Sequence, residues 1–198
     1  MKVLSRMMGI MLKPKEEWAK IKEEALSFSK VFSSYVLFLA LVPALTQFFR
    51  SGFVGFKVPY RGWYRFGTGV AFLRAILVYG FALGLVYLFG LIMNILAPAF
   101  SCSQNLSKAM NLAAYGLTPL LAGSIFYLIP FLEKLDILMG LYGIYILYLG
   151  FMTYLFSAPT NKAVVYFIVS VAVAGLLSVV AWFILDTIFM VGGVSRLI

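Results

Sequence analysis

The chain has 198 residues, of which 63% are hydrophobic and 12% charged, and its mean hydropathy is +1.00. Soluble domains are about 45–50% apolar and about 25% charged, so this composition indicates one membrane domain without a separate soluble catalytic domain. The chain has no histidine and a single cysteine, Cys102, which excludes histidine-dependent metal or haem sites, Ser–His–Asp hydrolysis and an internal disulfide.

Residues 1–30 are predicted to form a cytoplasmic amphipathic arm on the membrane surface. Apolar residues in the first twelve positions approximate helical spacing, with a disordered start as the alternative. Pro14 suits the first turn of a second short helix, and Trp18 is expected at the membrane interface. Charges at Arg6 and Lys13 interrupt this start, so a cleavable signal peptide is not expected.

Residues 31–198 are predicted to form an all-α polytopic bundle with five transmembrane helices. A helix of about 20 residues crosses the roughly 30 Å of bilayer hydrocarbon, and the run from Ala163 to Leu185 carries no charge before Asp186. The predicted spans are 31–49, 70–97, 106–129, 137–156 and 163–189.

Proline and glycine positions predict how these spans bend and pack. Pro43 and Pro119 lie inside the first and third spans and are expected to kink them. Small residues let a neighbouring helix approach closely. Four glycines are candidates for helix packing: Gly80, Gly84, Gly143 and Gly150. The pair Gly80/Gly84 also allows a homodimer, although packing within one chain is the preferred interpretation.

The segment 50–69 joins the first two spans and interleaves aromatic with basic residues. Such a pattern can bind single-stranded nucleic acid, but beside two spans it favours a loop on the lipid headgroups. Trp63 and Tyr64 are therefore predicted interface anchors, and a short hairpin is compatible with the Gly and Pro positions.

The net charge of +9 is attributed to basic residues that meet lipid headgroups, and no nucleic-acid partner is expected. Five spans place the termini on opposite sides. Nine of the 16 Lys and Arg residues then lie on the N-terminal side and seven on the other, which weakly favours a cytoplasmic N-terminus.

A charge pair is predicted where the second span begins and the fifth ends. Arg74 and Asp186 fall on the same side of the membrane, and each is costly in lipid unless it is paired. Arg61 or Arg65 are alternative partners for Asp186, and separate contacts of each charge with headgroups and water remain the other interpretation.

Several short motifs occur in a characteristic order. Pro14-x-x-x-Trp18-x-x-Ile21 precedes the first span, and the segment 113–119 (AAYGLTP) is followed eleven residues later by Pro130. Together with an acidic–basic turn and a tyrosine-rich fourth span, this order resembles the prokaryotic branch of the Yip1-domain family from about Met11 to Phe189. The 50–69 loop is not part of that pattern.

The resemblance implies five spans and a cytoplasmic N-terminus. Eukaryotic members act in Golgi and endoplasmic-reticulum traffic and associate with Rab-type GTPases, while prokaryotic members have no settled activity. GTPase binding is not transferred to this chain, because its cytoplasmic arm is short.

The sequence leaves three functions to compare. The preferred one is a non-enzymatic protein of the cell membrane that organises lipids or protein partners at its cytoplasmic face. The alternative is a channel or transporter lined by Pro43, Pro119, Asp186 and the tyrosine stripe 142–148. An intramembrane aspartyl protease is disfavoured, because neither Asp136 nor Asp186 has a Gly-x-Gly-Asp surround. No catalytic residue, cofactor or metal site is predicted.

Overall fold

The computed structural model describes residues 3–58, 62–155 and 160–194. Within these ranges the side chains of residues 58, 155, 160, 161 and 189–194 are not described. The predicted alternative partner Arg61 therefore lies outside the described residues.

The described chain consists almost entirely of helices, with one small hairpin. The α-helices are α1 Val3–Leu12, α2 Pro14–Glu24, α3 Phe28–Val31, α4 Leu37–Leu39, α5 Leu41–Phe49, α6 Thr68–Leu96, α7 Leu106–Gly116, α8 Thr118–Gly123, α9 Lys134–Gly150 and α10 Thr160–Val194. Short π segments occur at Phe32–Val36, Arg50–Val54 and Phe151–Leu155, and 3-10 turns at Ala97–Phe100 and Ser124–Leu128. Strands β1 Phe56–Val58 and β2 Gly62–Tyr64 pair antiparallel.

Within the described residues, five helical segments are long and apolar enough to cross a membrane, which confirms the all-α polytopic bundle. We call them spans 1 to 5. They are Phe28–Val54, Thr68–Phe100, Leu106–Leu128, Lys134–Tyr154 and Lys162–Ile188. Spans 1 and 2 run a few residues past the predicted bounds at both ends, because a helix continues beyond its apolar run until a cap or turn ends it, and the bounds of the other three lie within three residues of the prediction. Asn105 caps span 3 at its predicted start, its side chain accepting a hydrogen bond from the Lys108 amide at 3.0 Å.

Span 3 lies at the centre of the bundle. In its apolar window 78% of the residues are buried within the protein, against 17% in span 5. Helix α7 packs on α6 and α9, and α10 packs mainly on α6 at the periphery. The core cluster contains large aromatic side chains from several elements, among them Tyr35, Phe89, Tyr115 and Tyr166.

Spans 1 and 3 are interrupted just before their internal prolines. Span 1 breaks at Ala40, and Pro43 cannot donate a hydrogen bond to the carbonyl of Leu39. In span 3, α7 ends at Gly116 and α8 begins at Thr118, so Pro119 occupies the first turn of a new helix. Both interruptions lie where a proline, which has no backbone N–H, cannot donate a hydrogen bond to the carbonyl four residues earlier.

The N-terminal arm folds against the spans. Trp18 is fully buried, its indole Nε1–H donates to the Ile146 carbonyl at 3.1 Å, and its ring contacts Tyr115 and Tyr154. A Cβ atom at Gly150 would come within 2.5 Å of the Trp18 ring, so this glycine allows the close contact. The prediction that Trp18 anchors the arm in headgroups is wrong, because its side chain faces the protein interior.

A buried arginine joins the two helices of the arm. Arg6 forms ion pairs with Glu17, at 2.7 Å, and with Glu24, and it lies 5.9 Å from the ring centroid of Tyr115. Burial lowers the pKa of Arg6, but the hydrogen bond to Glu24 and the charges of Glu24 and Glu17 outweigh it, so the pKa is raised. The Tyr142 hydroxyl also donates to the Met11 carbonyl at 2.6 Å, tying α1 to span 4.

Gly143 is the second packing glycine of span 4 and faces span 3. A Cβ atom there would lie 3.8 Å from the Pro119 side chain. Tyr145 and Tyr148, by contrast, are 44% and 42% exposed on the outside of the bundle. The tyrosine stripe therefore does not line a path between the spans.

The hairpin follows span 1 at the end of the bundle away from the arm. Trp63 is 62% exposed, whereas the Tyr64 ring packs against Phe56 and Phe66. Gly55, with a φ of 87°, provides the left-handed turn into β1. An exposed Trp63 is available to headgroups, and its role as an anchor remains a prediction.

Candidate functional site

A cavity of about 360 Å³ lies between the helices, and all five spans contribute to its wall. We call it the five-span cavity. Its polar wall consists of Thr46 and Gln47 of span 1, Arg74 of span 2, Ser124 and Tyr127 of span 3, Asp136 of span 4, and Ser178 and Trp182 of span 5. Apolar residues such as Val78, Leu120 and Leu185 complete the wall, so the cavity is amphipathic.

The two charges in this wall stand at helix ends on the same side of the bundle. Arg74 follows the start of α6 by six residues, and Asp136 lies in the first turn of α9. A carboxylate is favourable near a helix N-terminus, where the helix dipole is positive. Tertiary packing brings these two charges to one cavity although 62 positions separate them in the sequence.

Asp136 points one carboxylate oxygen into a buried position. Its Oδ1 atom has no hydrogen-bond partner among the residues that the structure describes. A Cβ atom at Gly123 would lie 3.6 Å from this oxygen and only 2.5 Å from the Cβ of Met139, so the bare glycine lets α9 pack closely here. An unsatisfied buried acceptor is costly, and a ligand that donates a hydrogen bond would remove the cost.

Arg74 and Asp186 do not form the predicted salt bridge. Arg74 lies 5.6 Å from the ring centroid of Phe66, and Asp186 acts on it electrostatically without an ion pair of 4.0 Å or less between their described atoms. Arg65, the alternative partner, instead donates to the Phe53 carbonyl at 3.2 Å. The attraction between Arg74 and Asp186 is therefore longer in range than a direct pair.

Arg50 directly follows the predicted bounds of span 1, and the structure makes it a buried part of this end of the bundle. It is 4% exposed, pairs with Glu133 at 3.2 Å and stacks 5.0 Å from the ring centroid of Tyr127. Tyr127 in turn lines the cavity. A basic residue beside a span was the only signal for this site in the sequence. Its partner could not be predicted, because Glu133 lies 83 residues after Arg50 along the chain.

A second, purely apolar groove of about 590 Å³ runs between spans 2 and 5. We call it the Gly80–Gly84 groove. It shares Phe81, Leu85 and Ala181 with the five-span cavity, so the two are adjacent. A Cβ atom on Gly80 or Gly84 would meet nothing within 4 Å. The preferred interpretation of these glycines as an internal packing face is wrong, because they line an open groove instead.

The other half of the bundle is closed by side chains. Tyr35 and Thr118 share a hydrogen bond of 2.7 Å, and Tyr35, Tyr115 and Trp18 are almost completely buried. Within the described ranges no group of three or more His, Cys, Asp or Glu side chains is placed to hold a metal ion. The arrangement offers an amphipathic cavity at the end of the bundle away from the arm, beside an apolar groove.

Five membrane-spanning helices around such a cavity define a polytopic α-helical integral membrane protein. Residues 8–183 match the family model of the Yip1 domain. Because this match covers most of the chain, the protein belongs to the Yip1 domain family, as the order of its sequence motifs indicated. No curated protein and no solved structure gives a significant match.

Proposed function

We propose that this protein is a non-enzymatic membrane protein that binds and organises phospholipid. The observation that carries the proposal is the five-span cavity, which has a polar wall and adjoins the apolar Gly80–Gly84 groove. Phospholipids have the same division between a polar headgroup and apolar chains. A site built from every span also gives a bound lipid a role in holding the bundle together.

The proposal places the protein in the cell membrane with its N-terminal arm in the cytoplasm. The exposed lysines of that arm, such as Lys13 and Lys20, suit anionic lipid headgroups or acidic protein partners at the cytoplasmic face. The open glycines Gly80 and Gly84 also permit a homodimer, in which a second copy would compete with lipid for the groove.

A channel or transporter is the alternative. It would use the cavity as one vestibule, but the buried aromatic side chains of Trp18, Tyr35 and Tyr115 fill the bundle on the arm's side. These residues would have to move for a solute to pass. A binding function requires no such rearrangement, and we therefore prefer it.

Native mass spectrometry of the protein purified in a mild detergent tests lipid binding. We expect the wild-type protein to retain one phospholipid after washing that removes bulk lipid. Ala181→Phe puts a ring into the wall shared by cavity and groove and should abolish retention. Val179→Phe is the matched control, because Val179 is 62% exposed on the outside of the same helix.

Failure of the wild-type protein to retain phospholipid would contradict the proposal, as would equal retention by the two phenylalanine variants. Thermal unfolding of each variant shows whether the bundle is intact. Ion or solute flux in proteoliposomes that disappears with Asp186→Asn would instead favour the transporter.

A further inference from the structure

The charges in the five-span cavity indicate the headgroup that it accepts. Arg74 and Asp136 stand in one wall with opposite charges, and Asp186 and the Arg50–Glu133 pair lie outside that wall. A purely anionic headgroup would be attracted to Arg74 but would bring a negative charge to the Asp136 carboxylate. Since uncompensated charge is costly in a low-dielectric site, a zwitterion fits this wall best.

The position of Arg74 along span 2 suits a lipid phosphate. Span 2 has 33 residues, or about 48 Å of helix, so about 9 Å extends beyond each side of a centred hydrocarbon layer of about 30 Å. Arg74 lies six residues from the start of the span, which is also about 9 Å. Its guanidinium is thus at the boundary where phosphates lie, and it suits phosphate oxygens through paired hydrogen bonds.

The Gly80–Gly84 groove has the length of an acyl chain. It extends from Ile76 to Leu88, which is about 18 Å along the helix and comparable to the roughly 15 Å of one hydrocarbon leaflet. It begins just below Arg74 and adjoins the cavity along Phe81 and Leu85. A lipid whose phosphate contacts Arg74 can therefore lay a chain against Gly80 and Gly84.

Asp136 distinguishes between zwitterionic headgroups. Its Oδ1 atom is a buried acceptor with no partner in the described part of the chain. A primary ammonium group carries three N–H donors, whereas the quaternary ammonium of choline carries none. Only the former can both neutralise the carboxylate and satisfy the oxygen.

We propose that the five-span cavity selects a diacyl phospholipid with a phosphoethanolamine headgroup, its phosphate on Arg74, its ammonium on Asp136 and one chain in the Gly80–Gly84 groove. This inference depends on the proposed lipid-binding function and names the lipid.

Native mass spectrometry with added lipids of identical acyl chains tests the headgroup. We expect phosphatidylethanolamine to bind at least about tenfold more tightly than phosphatidylcholine or phosphatidylglycerol, the factor that one charge-assisted hydrogen bond supplies. Successive N-methylation of the ethanolamine should weaken binding stepwise to the wild-type protein. Asp136→Asn should remove the preference, whereas Asp186→Asn, an acid outside the cavity wall, should keep it.

The chain position is tested with two glycines that both have open space around them. Gly84→Leu fills the groove and should weaken binding of every phospholipid about tenfold or more. Gly175→Leu, on the exposed face of span 5 outside the groove, should leave binding unchanged.

Retention of lipid without preference for ethanolamine, or a preference that survives in Asp136→Asn, would overturn this inference and leave the proposed function standing. Equal binding by Gly84→Leu and Gly175→Leu would overturn the assignment of the chain. Failure of the wild-type protein to bind any of the three phospholipids would overturn the proposed function itself.

Discussion

Trp18 and Trp63 have the same side chain but opposite surroundings. Trp18 is fully enclosed by spans 3 and 4, and its indole N–H is satisfied by the Ile146 carbonyl. Trp63 extends from β2 and is 62% exposed. In the sequence both lie beside basic residues next to a span, a pattern that does not separate an internal contact from an interfacial one.

Truncation of each tryptophan should therefore have a different effect on stability. Trp18→Ala removes a fully buried ring and leaves a cavity, which should lower the free energy of unfolding by about 3–5 kcal/mol. Trp63→Ala should change it by no more than about 0.5 kcal/mol in detergent. Thermal unfolding of both variants provides the measurement, and equal losses would contradict the burial of Trp18.

At the scale of elements, α1 and α2 form a hairpin held by one buried guanidinium. Arg6 is 6% exposed and contacts both Glu17 and Glu24, which lie about two turns apart on α2. Removing one partner of a buried ion pair leaves the others uncompensated. The sequence indicated two helices here but not this contact, because charges 11 and 18 positions apart show no periodic relation.

Arg6→Ala should detach the arm from the spans. We expect a loss of about 3 kcal/mol in the free energy of unfolding, because Glu17 stays buried with only the exposed Lys20 as a partner. Lys20→Ala is the control, since Lys20 also pairs with Glu17 but is 60% exposed and should cost at most about 1 kcal/mol. Limited proteolysis of the arm should accelerate only in Arg6→Ala, and unchanged cleavage there would contradict the docked arm.

For the whole molecule, the sequence predicted the number and places of the spans but not how they pack. Long uncharged runs identify membrane helices, and Pro43 and Pro119 mark where two helices are interrupted. Spans 2 and 5, however, are apolar on every face, so no periodicity distinguishes a lipid-facing side from a packed side. For this reason the sequence predicts a packing face at Gly80 and Gly84, whereas the structure places both glycines in an open groove.

The sequence indicated only part of the candidate site. Arg74 stood out as a charge in a span, whereas Asp136 looked like a residue of a short turn. Helix α9 begins at Lys134, which places Asp136 inside span 4 and in the wall with Arg74. The start of α9 at Lys134 therefore determines that the Asp136 carboxylate faces the cavity and not water.

The most direct test of the account is an experimental structure of the full chain in lipid nanodiscs containing phosphatidylethanolamine. The account predicts elongated density with its head between Arg74 and Asp136 and a tail along Gly80 and Gly84. A cavity closed by its own side chains, or another helix packed on Gly80 and Gly84 in place of lipid, would contradict it.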